Sequence, residues 1–295
     1  MHADVTYTEI EGLIALKSKS ARWPASSNTY LLVSDNKSLI IDPGCGFRER
    51  AKLIEKVLKN EKVDMFESVI VLTHAHPDHI GATKFLSTKH VLIHAIEVEY
   101  AKNPSLLSKP FDISFIKNVF GKYSQFDLIE YFAGLCPIYG VDAIAINDRI
   151  SFGDYTLKVI LTPGHSPGHI SLYLKSERVL FSGDLLGDVM AWYSPSAGGV
   201  EAYLESLSRL EKLKVDIIMP SHGSPTTPER IETEREILEQ REKKILEEIE
   251  KGIGSREELS KSLFGKRWSF LTNLLIVESH LRKLRKEGKV TELFK

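Results

Sequence analysis

The chain has 295 residues, a formal net charge of -1, 42% hydrophobic and 27% charged residues, the composition of a soluble globular protein and not of a disordered or fibrous one. That length accommodates one large core plus a small appended domain, and two cysteines, Cys45 and Cys136, are too few for a disulfide framework and form no C-x-x-C pair. Charge is unevenly spread: from Lys251 to Lys295 there are 11 Lys+Arg against 5 Asp+Glu, so a mildly acidic body carries a basic tail.

The N-terminal MHADVTYTEIEGLIALKSKS has no basic start followed by an apolar stretch, and no apolar run long enough to span a bilayer occurs. The expected location is the cytoplasm, with no membrane partner. Short apolar, β-branched runs then recur at 29–33, 39–41, 69–72, 91–93, 157–161, 170–174, 179–181 and 217–219, and these read as strands. Helical patterns lie between and after them, at 47–59, 201–213 and the charge-rich 228–251. The alternation predicts an α/β fold with helices covering its sheets.

Residues 97–140 contain few strand signals and many aromatics, among them Tyr100, Phe111, Phe115, Phe120, Phe126, Tyr131 and Phe132. They are expected to form a helical insertion, either a packed satellite or a wall over a substrate pocket. Beyond residue 250 the pattern changes. Ser255 is a candidate N-cap of one helix, Ser269 of a second, and Gly288 ends it before a short strand. That order is winged-helix-like. The expected division is 1–226 for a catalytic domain, 227–250 for a connecting helix that is either solvated or a homodimer contact, and 251–295 for the winged-helix-like domain.

The stretch THAHPDHIGA, residues 73–82, places three histidines and an aspartate within six positions. Imidazole and carboxylate are the ligand types of divalent-metal sites. Three more apolar runs also end in a metal-capable residue: LKVILTPGH, VLFSGD and DIIMPSHG. Side chains just past the ends of buried strands converge on one edge of a sheet, where open α/β architectures place their sites. The candidates are His74, His76, Asp78, His79, His165, Asp184 and His222, enough for two ions.

The pattern HAHPDH, TPGH, SGD, PSHG resembles the metallo-β-lactamase superfamily over roughly residues 5–225. The resemblance implies a four-layer αβ/βα sandwich with a dinuclear site between two sheets. It implies that His74, His76 and His165 hold one ion, that Asp78, His79 and His222 hold the other, and that Asp184 bridges them. Asp42, in LIIDPG, matches an early aspartate that positions a ligand or its loop. TPGHSPGH is similar to hydroxyacylglutathione hydrolases, in which the histidine at the place of His169 lies outside the metal shell. The C-terminal HLRKLRKEGKV resembles a small winged-helix domain on a branch that includes a mitochondrial lactamase-like endoribonuclease.

Two cations sharing a water lower its pKa and supply a bridging hydroxide as nucleophile, one ion acting as Lewis acid. Asp78 is expected to accept or relay a proton. Zinc is the expected metal, with iron or manganese open to the same ligand set. The primary expectation is a hydrolase of a small ester, thioester or lactone. A nucleic-acid hydrolase using the basic tail on RNA is the alternative. Lesser readings are a non-catalytic winged-helix regulator and a mononuclear iron dioxygenase. Trp192 and Tyr193 are candidates for pocket contacts or an oxyanion donor, or equally for packing. Cys45 is read as structural in its Gly-rich turn.

Overall fold

A computed structural model describes residues 3–19, 26–103, 106–107, 109, 112, 140–145, 148–187, 192–267 and 271–291. Two sheets form its centre. The first has seven strands in sequential order: β1 (Ala3–Tyr7), β2 (Leu13–Ser18), β3 (Thr29–Ser34), β4 (Lys37–Ile41), β5 (Val69–Leu72), β6 (His90–His94) and β7 (Val141–Ile144). Pairing is antiparallel from β1 to β4 and parallel from β4 to β7. The second sheet runs β12 (Ile217–Pro220), β11 (Val179–Gly183), β10 (Ile170–Leu174), β9 (Tyr155–Leu161), β8 (Arg149–Phe152), with only β11 and β12 parallel.

Successive strand residues point to opposite faces, and this period divides the core into layers. Leu39, Ile41 and Val71 of the first sheet meet Leu157, Val159, Leu172 and Phe181 of the second in one inter-sheet core. The alternate residues Ile40, Ile70 and Leu72 face outward onto Ala51, Ile54, Val57 and Leu58 of helix α1 (Arg48–Asn60), whose buried positions recur every three or four residues as an amphipathic helix requires. On the other flank Tyr173 and Leu180 pack against Val200, Tyr203, Leu207 and Leu210 of a helix at Gly199–Leu210. The result is the four-layer αβ/βα sandwich.

Two short helices follow strands of the first sheet, α2 (Pro77–Ile80) and α3 (Val98–Lys102). With the Gly199–Leu210 helix as α4, three more complete the described α-helices: α5 (Glu229–Glu250), α6 (Arg256–Phe264) and α7 (Leu271–Lys286). Helix α5 spans two cores. Ile231 and Leu238 belong to the layer outside the second sheet, and Ile245 joins Leu259, Val277, Leu281, Leu284 and Val290 in a separate C-terminal cluster. Its apolar face is therefore taken up within the chain. Ser255 caps α6, accepting from the Glu258 amide at 3.2 Å while its hydroxyl donates to the Glu258 carboxylate, a side-chain N-cap. Gly288 follows α7 with φ 71.

Strands β1, β2, β7 and β8 are not among the expected runs. Exposure explains three of them: β1, β7 and β8 end their sheets, and β7 and β8 each bury only two of four residues, so their sequences lack an apolar run. Most of the expected 97–140 insertion lies outside the described residues beyond α3, as do Ser269 and Cys136; of the strand expected after Gly288, residues 289–291 are described and form no strand, and the rest lies outside the described residues. Among the described residues, no helix is long and apolar enough to cross a membrane.

Candidate metal centre

Four strand ends deliver the seven candidate side chains to one place. The loop after β5 carries His74 and His76, and Pro77 occupies the first turn of α2, where its missing N–H costs nothing, so Asp78 and His79 lie on a helix that starts at the cluster. His165 follows β9, Asp184 follows β11 and His222 follows β12. Ligand-capable atoms of His74, His76, His165 and Asp184 lie within 4.8 Å of one another, and so do those of Asp78, His79 and His222. The Asp184 carboxylate joins the two groups: Oδ2 is 3.1 Å from His165 Nε2, and Oδ1 is 3.0 Å from His79 Nε2 and 3.5 Å from His222 Nε2.

Hydrogen bonds behind the cluster assign the tautomers. The Thr73 hydroxyl has one proton and gives it to the Asp42 carboxylate at 2.7 Å, because a carboxylate only accepts. His74 Nδ1, 3.0 Å from the same hydroxyl, must then be its donor, which leaves Nε2 as a lone pair. His79 Nδ1 donates to Asp42 Oδ2 at 2.8 Å and His165 Nδ1 to the Trp192 carbonyl at 2.8 Å. In each ring the outer nitrogen carries the proton and the inner one faces the cluster. His74 Nε2 is buried with no hydrogen-bond partner, a cost that a cation removes.

Electrostatics point the same way. Burial, with His79 and His76 nearby, holds His74 well below the usual imidazole range, and burial with His165 does so for His76. Both are neutral and ready to coordinate. For His79 burial opposes the charged form but Asp184, Asp42 and Asp78 outweigh it and raise its pKa well above 6.5. Asp184 is depressed despite burial, by His79, His222 and His165. Three carboxylates thus call for positive charge beside the neutral His74 and His76, and the residues fit a pair of divalent cations. The side chains of Asp78, Asp184 and His222 keep 11%, 11% and 14% of their surface exposed while His79 and His165 keep at most 1%, which marks the open side.

Other residues stand as follows. Asp42 is fully buried with φ 49 and binds Thr73, His79 and Ser221 without reaching the cluster centre. His169 lies behind Asp184, accepting from its amide at 3.0 Å and contacting Thr162 Oγ1 at 2.9 Å. Gly183, φ 61, permits this, since a Cβ there would lie 2.3 Å from His169 Nε2. Trp192 stacks parallel on His76, with ring centroids 5.5 Å apart and planes within 6°. Tyr193 points away, fully buried, with its hydroxyl on His280 and Arg241, so the oxyanion-donor expectation for it is corrected: that proton is committed elsewhere. The buried Cys45 amide donates to Ser26 Oγ, and burial raises its thiol pKa. A cavity of about 380 Å³ between α4, α5 and α7 is lined by none of the seven candidates.

Glu97 carries no signal in the sequence that singles it out. Its buried carboxylate accepts from the Ala75 amide at 3.2 Å, the Ser166 hydroxyl at 2.7 Å and the Gly168 amide at 2.7 Å. It therefore clips the loop holding His74 and His76 to the loop holding His165. No spacing reveals this, because the partners are 22 to 71 residues away. Glu97→Ala is expected to weaken zinc binding about tenfold or more, read by chelator competition. Unchanged affinity in a folded variant would remove Glu97 from the site.

The sequence model of the metallo-beta-lactamase superfamily matches residues 22–222. The chain is 28% identical to the beta-lactamase-like protein 2 homolog of Caenorhabditis elegans over 276 residues, 90% of this chain and 80% of that protein. It is 28% identical to the thioesterase pkgB of Emericella nidulans over 197 residues, 67% of this chain but 46% of that protein. Among solved structures, a metallo-beta-lactamase family protein from Thermus thermophilus superposes with TM-score 0.80 at 25% identity, covering 96% of each chain.

Proposed function

We propose, for a chain that belongs to the metallo-beta-lactamase superfamily and is a hydrolase of it, that its reaction is attack on the carbonyl of a small ester, thioester or lactone, thioesters first. The observation that carries this is the hydrogen-bond set behind the cluster: His74, His79 and His165 commit their outer nitrogens to Thr73, Asp42 and the Trp192 carbonyl and turn their inner nitrogens to one centre. His74, His76 and His165 would hold one cation, Asp78, His79 and His222 a second, and Asp184 both. Two bound divalent cations supply Lewis acidity to the attacked carbonyl and a water made nucleophilic near neutral pH.

The residues do the remaining work. Asp78, at the open side and 3.1 Å from His222 Nε2, accepts the proton that attack releases. Trp192, stacked on His76, presents an apolar wall against which an acyl chain packs. The thioesterase names among the relatives support the choice of thioesters. Charge pairing weighs against the nucleic-acid alternative. Arg282 and Arg285 contact Glu278, Lys283 contacts Glu242, Lys286 contacts Glu201 and Lys289 contacts Glu287, so the basic run is matched by acids and does not form a stripe for phosphates.

Metal analysis joined to a substrate panel tests the reading. Purified protein is expected to carry about two equivalents of zinc or a similar divalent ion and to hydrolyse an acyl thioester or nitrophenyl acetate, with loss on chelation and recovery on adding zinc. Cleavage of single-stranded RNA or a phosphodiester with no carbonyl-ester turnover would overturn the substrate class. Protein that takes up no divalent metal would overturn the site.

A further inference from the structure

The C-terminal helices reach toward the candidate centre at Tyr193. Helix α7 carries His280, fully buried, with Nε2 2.7 Å from the Tyr193 hydroxyl. Arg241 of α5 donates Nη1 to that same oxygen at 2.8 Å. A guanidinium only donates, so Tyr193 accepts from Arg241 and gives its own proton to His280 Nε2. The His280 proton then sits on Nδ1, 3.7 Å from the Glu242 carboxylate, which Lys283 also binds at 2.7 Å. Ser279 adds a 3.4 Å contact to the Tyr193 carbonyl.

The residue before Tyr193 belongs to the other end of this path. The Trp192 carbonyl holds His165 Nδ1 at 2.8 Å, and its indole stacks on His76 and meets His165 edge-on, with centroids 4.9 Å apart. One dipeptide is thus held by the histidine cluster on one side and by α5 and α7 on the other. We propose that Tyr193, gripped by His280 and Arg241, is a positioning residue that sets Trp192 and through it the orientation of His165 and His76. The C-terminal helices are then a structural part of the hydrolytic site and not a separable ligand-binding module. The inference rests on the metal reading of the cluster.

Cobalt(II) substitution tests it, because the visible absorption of cobalt reports the orientation of its ligands whether or not the enzyme turns over. Tyr193→Phe keeps the ring and removes the grip. It is expected to alter the cobalt spectrum and to weaken one of the two metal sites about tenfold, measured by chelator competition below the melting temperature. His280→Gln, which keeps an acceptor for the hydroxyl, is expected to retain most of the affinity that His280→Leu loses, and this pair serves if Tyr193→Phe does not fold. Lys286→Ala, on the same helix but paired with Glu201 and not with the Tyr193, His280 and Glu242 network, is expected to leave the cobalt spectrum and the metal affinity unchanged. Wild-type spectrum and affinity in Tyr193→Phe and His280→Leu would overturn the proposal. A wild-type protein that binds no cobalt or zinc would overturn the metal reading and this inference with it, a distinct result.

Discussion

Asp184→Asn is expected to lose at least one of the two proposed metal equivalents and to lower kcat/KM for the proposed thioester substrate about 10³-fold, while the metal-free protein still folds. The geometry makes both expectations specific. Asp184 is the residue whose two carboxylate oxygens face different groups, Oδ2 toward His165 and Oδ1 toward His79 and His222. An asparagine places an NH2 group at one of these positions, and a donor facing a lone-pair nitrogen can take a hydrogen-bonding role but cannot share a cation. The backbone is held independently, since the Asp184 amide bonds His169 and the preceding turn is set by Gly183. Inductively coupled plasma analysis and steady-state kinetics decide it. Two full equivalents with undiminished turnover would show that Asp184 bridges nothing.

That result bears on how much of the site is legible without the structure. All seven cluster residues are legible because each sits within a few positions of an apolar run that ends in a Gly or Pro turn, and parallel or mixed sheets gather such ends at one edge. The residues that orient them are not. Glu97, the Trp192 carbonyl and Thr73 act through backbone groups or single contacts that carry no motif. Arg50 is another case: it lies on the buried face of α1, where a charged residue is rare, and its guanidinium donates to the Leu16 and Ser27 carbonyls and to Thr29 Oγ1. Thr29 in turn donates to the Asp42 carbonyl at 2.7 Å. Such a support is visible only once the chain has folded.

The fold shows the same division. Strands buried on both faces, such as β10 and β11 with all five residues buried, write continuous apolar runs. Strands at sheet edges, half in water, do not, which is why β1, β7 and β8 escape a reading of the sequence. The basic tail follows the same rule. Charge counted along the chain is not charge displayed at a surface, because the acids that match Lys283 and Lys286 come from α5 and α4.

Asp42→Ala is expected to be the most destabilising substitution near the centre, costing about 3–5 kcal/mol as removal of one partner of a buried charged network does. Its carboxylate accepts from the Thr73 amide at 2.8 Å, the Thr73 hydroxyl at 2.7 Å, the Ser221 hydroxyl at 3.0 Å and His79 Nδ1 at 2.8 Å. Truncation leaves those buried donors without an acceptor and unties the loops of His74 and His222 from each other. The metal-free protein is expected to melt about 10 °C lower and to bind zinc at least tenfold more weakly, since His79 loses the acceptor that fixes its tautomer. The left-handed backbone, φ 49, which alanine resists, is a second source of loss at this position. Asp42→Asn separates the two contributions, because asparagine adopts that conformation readily but presents an NH2 to donors. Thermal melts of both variants, with and without zinc, distinguish them. If the carboxylate is the cause, Asp42→Asn falls with Asp42→Ala; if backbone strain is, Asp42→Asn stays near wild type.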